Sequence, residues 1–251
     1  MGADKEPATA QELYSNITEW EAKRFKESSQ MLAPYVRVTD DYGVLMCRVM
    51  LILGKIPPVD TQDKVIRDLM ADVFDFLYES RSLLLRNKCE GAYLLTRRAY
   101  ESLSLLTLCC LDQNYAMKWH SGATIENAEV RRELAKHPLG EAEQSTRDFY
   151  RFFSNAGHPN RDFVGERFLG EGNEFVLSPY FLRPLTLITH YCIKLLSLWY
   201  WFAATVSYHY RDVIAAHDSD YGENYLAVAQ CARDVADSLV ENLNRLIKEK
   251  D

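Results

Sequence analysis

The chain of 251 residues is 47% hydrophobic, 12% aromatic and 26% charged, with 36 acidic against 29 basic residues and a formal net charge of −7. This composition excludes a collagenous, low-complexity, disordered or small disulfide-scaffold protein, and its acidic balance argues against binding nucleic acid through a broad positive field. With only 11 Gly and 8 Pro, few residues are available for tight turns, which favours long helices.

Hydrophobic spacing predicts a first helix from Thr9 or Ala10 to about Met31, with Leu13, Ile17, Trp20 and Phe25 on its apolar stripe and Pro34 ending it. Asp40 or Asp41 is the expected cap of a second helix, stopped by Gly54 and the Pro57-Pro58 pair. Asp60 or Thr61 caps a third, which keeps a helical period through about Arg86. Gly91 marks an expected break before the most apolar helix, about Ala92 to Leu111, which is apolar nearly all round and belongs in the middle of a bundle. Its exceptions are Arg97, Arg98 and Glu101; Arg97 and Glu101 are four apart and share a face. A short helical piece follows at Asn114–His120, then a helix capped by Thr124 and ending near His137-Pro138, then one from Gly140 to about Asn155. Around 165–178 the pattern changes: Arg167-Phe-Leu and Glu174-Phe-Val-Leu flank Gly170-Glu-Gly-Asn173, which predicts a small β-hairpin or extended loop. A long helix then runs from Pro184 to Tyr210, and a last amphipathic helix from about Tyr221 to Lys248. With no repeat and no long linker, the expected architecture is one all-α helical bundle over residues 1–251, with a core of about 60–250 and N-terminal helices of about 9–54 packed on it.

The six cysteines form no C-x-x-C pair and sit mostly in apolar runs, so reduced thiols of a cytoplasmic protein are expected. No cysteine or histidine pair has zinc-ligand spacing, and neither metal nor cofactor is expected. The N-terminus lacks an apolar signal core, and Glu6 stands where a myristoylation motif needs Ser or Thr. The uncharged stretch from Leu195 to Tyr210 is shorter than the roughly 20 residues of a bilayer span, so no membrane segment is expected. Within it the aromatic run Trp199–Phe202 reads as core, the alternative being a stacking platform for bases.

Phosphate-binding and nucleophile-elbow motifs are absent, leaving one chemical candidate: Tyr150-Arg-Phe-Phe-Ser-Asn-Ala-Gly-His-Pro-Asn160. It sets Arg151 and His158 six residues apart at a helix end, with Ser154, Asn155 and Asn160 nearby. An arginine, six residues and a histidine resemble the motif of the HEPN superfamily, all-helical proteins that include metal-independent ribonucleases of toxin–antitoxin, phage-defence and RNA-processing systems. A closer resemblance, over about residues 83–200, is to uncharacterised bacterial all-helical proteins with an R-x-x-x-E on an apolar helix, then an aromatic, a serine and His-Pro; here these are Arg97 to Glu101, Tyr150, Ser154 and His158-Pro159. The resemblance implies an RNA 2′-hydroxyl attacking the adjacent phosphorus, with Arg151 on the phosphate, His158 as acid or base and Asn155 as an orienting group. It also implies a homodimer with two motifs facing each other, and RNA or an antitoxin-like protein as partner.

The residues alone leave other readings open. His158-Pro159 also fits a helix stop, Arg151 also fits a structural bridge to Asp148, and Arg97, Arg98 and Glu101 fit either structural ion pairs or the wall of a polar pocket. The alternatives to a nuclease are a non-catalytic helical interaction module, with an exposed apolar patch, and a small-ligand sensor, with a pocket lined by the arginines and aromatics. Gly157, Pro159, Gly165, Gly170, Gly172, Pro179 and Pro184 gather just after the motif, which makes that segment the expected functional rim of the bundle.

Overall fold

A computed structural model describes residues 9–137, 144, 147–151, 168–169, 174–175 and 185–248. The fold is an all-α bundle. In chain order its helices are α1 (Ala10–Met31), α2 (Ala33–Leu53), α3 (Thr61–Leu85), α4 (Cys89–Leu111), α5 (Gln113–His120), α6 (Asn127–Leu134), α7 (Leu185–His209), α8 (Arg211–His217) and α9 (Tyr221–Lys248). Residues 147–151 are also helical. The expected hairpin is a minimal one, with Phe168–Leu169 antiparallel to Glu174–Phe175.

Local chemistry explains most helix ends. The Thr9 hydroxyl accepts the Glu12 N–H at the start of α1, and Asp60 accepts the Asp63 N–H at the start of α3. Asp112 caps α5 by accepting from the Asn114 N–H. Between α3 and α4, Asn87 takes a left-handed φ of 61°, which reverses the chain in three residues.

Four boundaries differ from expectation. Asp40 and Asp41 do not cap the second helix but lie inside it, because α2 already begins at Ala33. Pro34 does not separate two helices; it lies in the first turn of α2, where its missing N–H costs nothing, and the chain passes from α1 to α2 through Leu32 alone. Gly91 does not break α4 but sits inside it, because a side chain there would meet Leu83 Cδ1 of α3 at 3.1 Å. It is a contact point between helices. Thr124 does not cap α6, which begins after Glu126.

The antiparallel pair α3–α4 is the most extensive helix contact. Small and hydroxyl residues bring the two backbones together: Ser80 Oγ donates to the Ala92 carbonyl at 2.9 Å and lies 2.5 Å from Thr96 Oγ1. At mid-length Ser102 Oγ donates to Asp72 at 2.5 Å, and at the far end Gln62 donates to the Cys109 carbonyl. A continuous core runs from Leu32 to Leu239 and includes Tyr35, Tyr42 and Met46 of α2 as well as Trp199 and Phe202 of α7, so α2 is part of the core itself. Tyr93 of α4 stacks on Tyr191 of α7 with ring centroids 3.6 Å apart. The run Trp199–Phe202 is divided: Trp199 and Phe202 are buried, whereas Tyr200 is 48% exposed, so α7 has a solvent side. Among the described residues, no helix is long and apolar enough to cross a membrane. All six cysteines are free thiols.

One buried polar network fixes the bundle end. Asp63 is 6% exposed and accepts from Arg67 Nε (3.0 Å) and Nη2 (2.8 Å), the Tyr210 hydroxyl (2.6 Å) and the Val59 N–H (3.0 Å). Arg67 Nη1 also donates to the carbonyls of Leu53 and Ile56, satisfying the free end of α2. Burial works against the Asp63 charge, yet the donors from Arg67, Tyr210 and Val59 outweigh it and hold the carboxyl below its ordinary range.

Candidate functional site

The adjacent arginines of α4 face different surroundings. One turn of helix puts Arg97 and Glu101 on one side, and Arg97 Nε donates to Glu101 Oε1 at 3.0 Å. Arg97 Nη2 donates to the Tyr150 hydroxyl at 2.5 Å, and its guanidinium lies 4.9 Å from the centre of the Tyr150 ring. Burial disfavours the Arg97 charge, but the Glu101 carboxylate and the Tyr150 oxygen more than restore it and raise its pKa. The R-x-x-x-E pair and the aromatic of the long motif are therefore in direct contact, 53 residues apart in sequence.

Tyr150 is held by more than Arg97. Arg131 of α6 approaches the same ring at 4.6 Å, and its Nη1 is buried with no hydrogen-bond partner among the described residues. Phe149 stacks on Tyr100 at 4.9 Å, and Lys194 of α7 sits 5.1 Å from the Phe149 ring. Tyr100 in turn meets Trp201 edge-on at 6.0 Å. Three cations from three helices thus gather on two consecutive aromatics, with Glu101 as the carboxylate bound to one of them. Cation–π attraction and the Arg97 hydrogen bond fix the helical residues 147–151 against α4. Burial, and then the neighbouring Lys194, push the pKa of His190 down.

Arg151 follows Tyr150 directly and points to solvent. Its side chain is 62% exposed, and its ion pair is a loose one to Asp148 at 3.8 Å. Ser154, Asn155, His158 and Asn160 lie outside the described residues. No family model, curated protein or solved structure matches the chain.

Arg98 turns the other way. It lies 3.9 Å from Asp72 of α3 and 5.6 Å from the Phe76 ring, with its side chain 57% exposed. It borders an open groove of about 440 Å³ between α3, α4 and the α5–α6 segment, whose walls include Asp68, Asp72, Glu101 and Trp119. Arg97 and Arg98 therefore do not line one shared pocket. Arg97 braces Tyr150, and Arg98 belongs to the groove. Among the described residues no cluster of His, Cys, Asp and Glu has the geometry to hold a metal ion.

Sequence reasoning missed Arg131, Lys194 and Trp119. Arg131 lies in a short charged helix whose spacing gives no hint of a distant aromatic partner. Lys194 interrupts an apolar run, and that interruption was the local signal of a polar partner on α7.

Proposed function

We propose that the protein is a metal-independent ribonuclease of the HEPN kind, working as a homodimer. In this reading the 2′-hydroxyl of the substrate attacks the adjacent phosphorus, and the bond to the 5′-oxygen breaks. His158 takes the hydroxyl proton or delivers one to the leaving oxygen, a role suited to imidazole near neutral pH. Arg151 neutralises the charge that builds on the phosphoryl oxygens, and Asn155 orients the reacting groups.

The observation that carries the reading is the state of Arg151. A structural arginine would be buried or tightly paired; this one is 62% exposed and 3.8 Å from its partner carboxylate. Its backbone, by contrast, follows Tyr150, which Arg97 and Arg131 clamp. A clamped base under an exposed, only loosely paired guanidinium is the arrangement a phosphate-binding residue needs. The local positive charge of Arg97, Arg131 and Lys194 supports the same reading despite the net charge of −7.

The test is cleavage of several structured and unstructured RNAs by the full chain in EDTA. Cleavage by the wild type, lost in His158→Ala and Arg151→Ala, is expected. No cleavage of any RNA, or equal cleavage by wild type and His158→Ala, rules the mechanism out.

A further inference from the structure

The cations gathered on Phe149 and Tyr150 exceed the anions that answer them. Arg97 is paired with Glu101 at 3.0 Å. Arg131 makes no hydrogen bond and no ion pair among the described residues; it lies 4.6 Å from the centre of the Tyr150 ring, and its Nη1 is buried without a partner. Lys194 has the Phe149 ring at 5.1 Å and no carboxylate among the described residues. Both carboxylates of α6 are committed elsewhere: Glu129 accepts from Lys118 at 2.8 Å and Glu133 from Lys136 at 2.6 Å.

Such an excess is costly to hold. A partly buried guanidinium without an ion pair loses hydration, and attraction to an aromatic ring restores only part of it. The chain has carboxylates in surplus, with a net charge of −7, yet among the described residues only Glu101 answers these three cations. Arg131 is partly rather than fully buried, so its remaining donors reach solvent. Two guanidinium forks and an ammonium from three helices, set on two neighbouring rings, suit the oxygens of a phosphate group. The two guanidiniums occupy the surroundings of the Tyr150 ring at 4.6 and 4.9 Å, so the recognition is of charge rather than of a base.

We infer that Arg131, with Lys194, binds a second phosphate of an RNA backbone, next to the one that Arg151 holds. This rests on the ribonuclease reading, in which Arg151 takes the scissile phosphate. Arg151 follows Tyr150 directly in the chain, so Arg131, held against Tyr150, stands beside it. The substrate is then a chain of at least two phosphates, read at this position without base preference. Arg131 is a binding residue and takes no part in proton transfer.

A fluorescein-labelled 2′-O-methyl hexanucleotide cannot undergo attack by its own 2′-hydroxyl, so its anisotropy titration with the full chain reports binding apart from cleavage. Wild-type affinity should fall as salt rises, with a log–log slope of about −0.7 for each phosphate neutralised. Arg131→Met should bind about ten-fold more weakly and lose about 0.7 of that slope, and Lys194→Met should also flatten it. Arg131→Lys keeps the charge and should recover the slope, whereas a merely structural loss would weaken binding and leave the slope unchanged. Combining Arg131→Met with Arg151→Ala should flatten the slope about twice as much, as two separate phosphates require. Circular dichroism melts verify that each variant is folded. An unchanged slope in Arg131→Met, or no binding by wild type up to about 100 μM protein in about 50 mM salt, overturns the second-phosphate site. Inorganic pyrophosphate displacing the probe at lower concentration than unlabelled oligonucleotide assigns the cluster to a free phosphate and overturns the RNA assignment. Binding with these variant effects, but no cleavage of unmodified RNA, supports the phosphate site and refutes the ribonuclease reading alone.

Discussion

The contact between Arg97 and Tyr150 can be isolated by a double-mutant cycle of Arg97→Met and Tyr150→Phe. Tyr150→Phe removes the hydroxyl that accepts from Arg97 Nη2 at 2.5 Å but keeps the ring under Arg97 and Arg131. Arg97→Met removes that hydrogen bond, the cation over the ring and the Glu101 bridge. The last two losses occur equally in the single Arg97 variant and in the double variant, so they cancel, and the coupling energy reports the hydrogen bond. A hydrogen bond to a charged donor contributes about 1.5–3 kcal/mol. The Arg97 side chain is 30% exposed, so the low end, about 1.5 kcal/mol, is expected. For a chain of this length about 2–4 °C of melting temperature corresponds to 1 kcal/mol, so Tyr150→Phe should melt about 3–6 °C below wild type. In the Arg97→Met background the same change should lower the melting temperature no further. Urea unfolding followed by far-ultraviolet circular dichroism gives the energies directly. Strict additivity, with coupling under about 0.3 kcal/mol, would refute the claim that Arg97 anchors the Tyr150–Arg151 segment.

Two further outcomes test other parts of the structure. Asp63→Asn should cost about 2–3 kcal/mol, less than a fully buried pair because Arg67 is partly exposed. Because the folded pKa of Asp63 is depressed, its contribution is present above the unfolded value of about 3.9 and disappears as pH falls through the folded value. The stability gap between wild type and variant should therefore be constant from about pH 5 to 8 and begin to narrow as pH falls below about 4; a gap that does not narrow with further acidification contradicts the assignment. At the α3–α4 contact, Gly91→Ala should be within about 1 kcal/mol of wild type, because gained helix propensity offsets the crowding of Leu83 Cδ1. Gly91→Val should cost about 1–3 kcal/mol by overpacking, and an unaffected Val variant in thermal melts would show that the contact is slack.

The Asp63 network and the Gly91 contact show where local pattern suffices and where it fails. The start of α3 is legible because Asp60 is a capping residue ahead of an apolar period, and both facts are local. Gly91 is misleading for the opposite reason. As a local signal it marks a break, yet its role depends on Leu83 of another helix. Pro34 fails similarly: proline ends a helix when it lies inside one and begins a helix when it lies in the first turn, and sequence alone does not tell which helix it belongs to.

The sequence by itself determined the all-α class and the order of the long helices, and narrowed 165–178 to a hairpin or extended loop, because hydrophobic periodicity and the distribution of Gly and Pro are properties of neighbouring residues; it gave no sign of the short helix α8. It also singled out Arg97, Glu101, Tyr150 and Arg151. Only the tertiary structure decided what those residues do to one another. It joined Arg97 to Tyr150 across 53 positions, brought Arg131 and Lys194 to the same aromatics, and sent Arg98 to a different groove. Adjacent residues on a helix point about 100° apart, so two arginines that look like one cluster in sequence become parts of two sites, and cations from three helices become one.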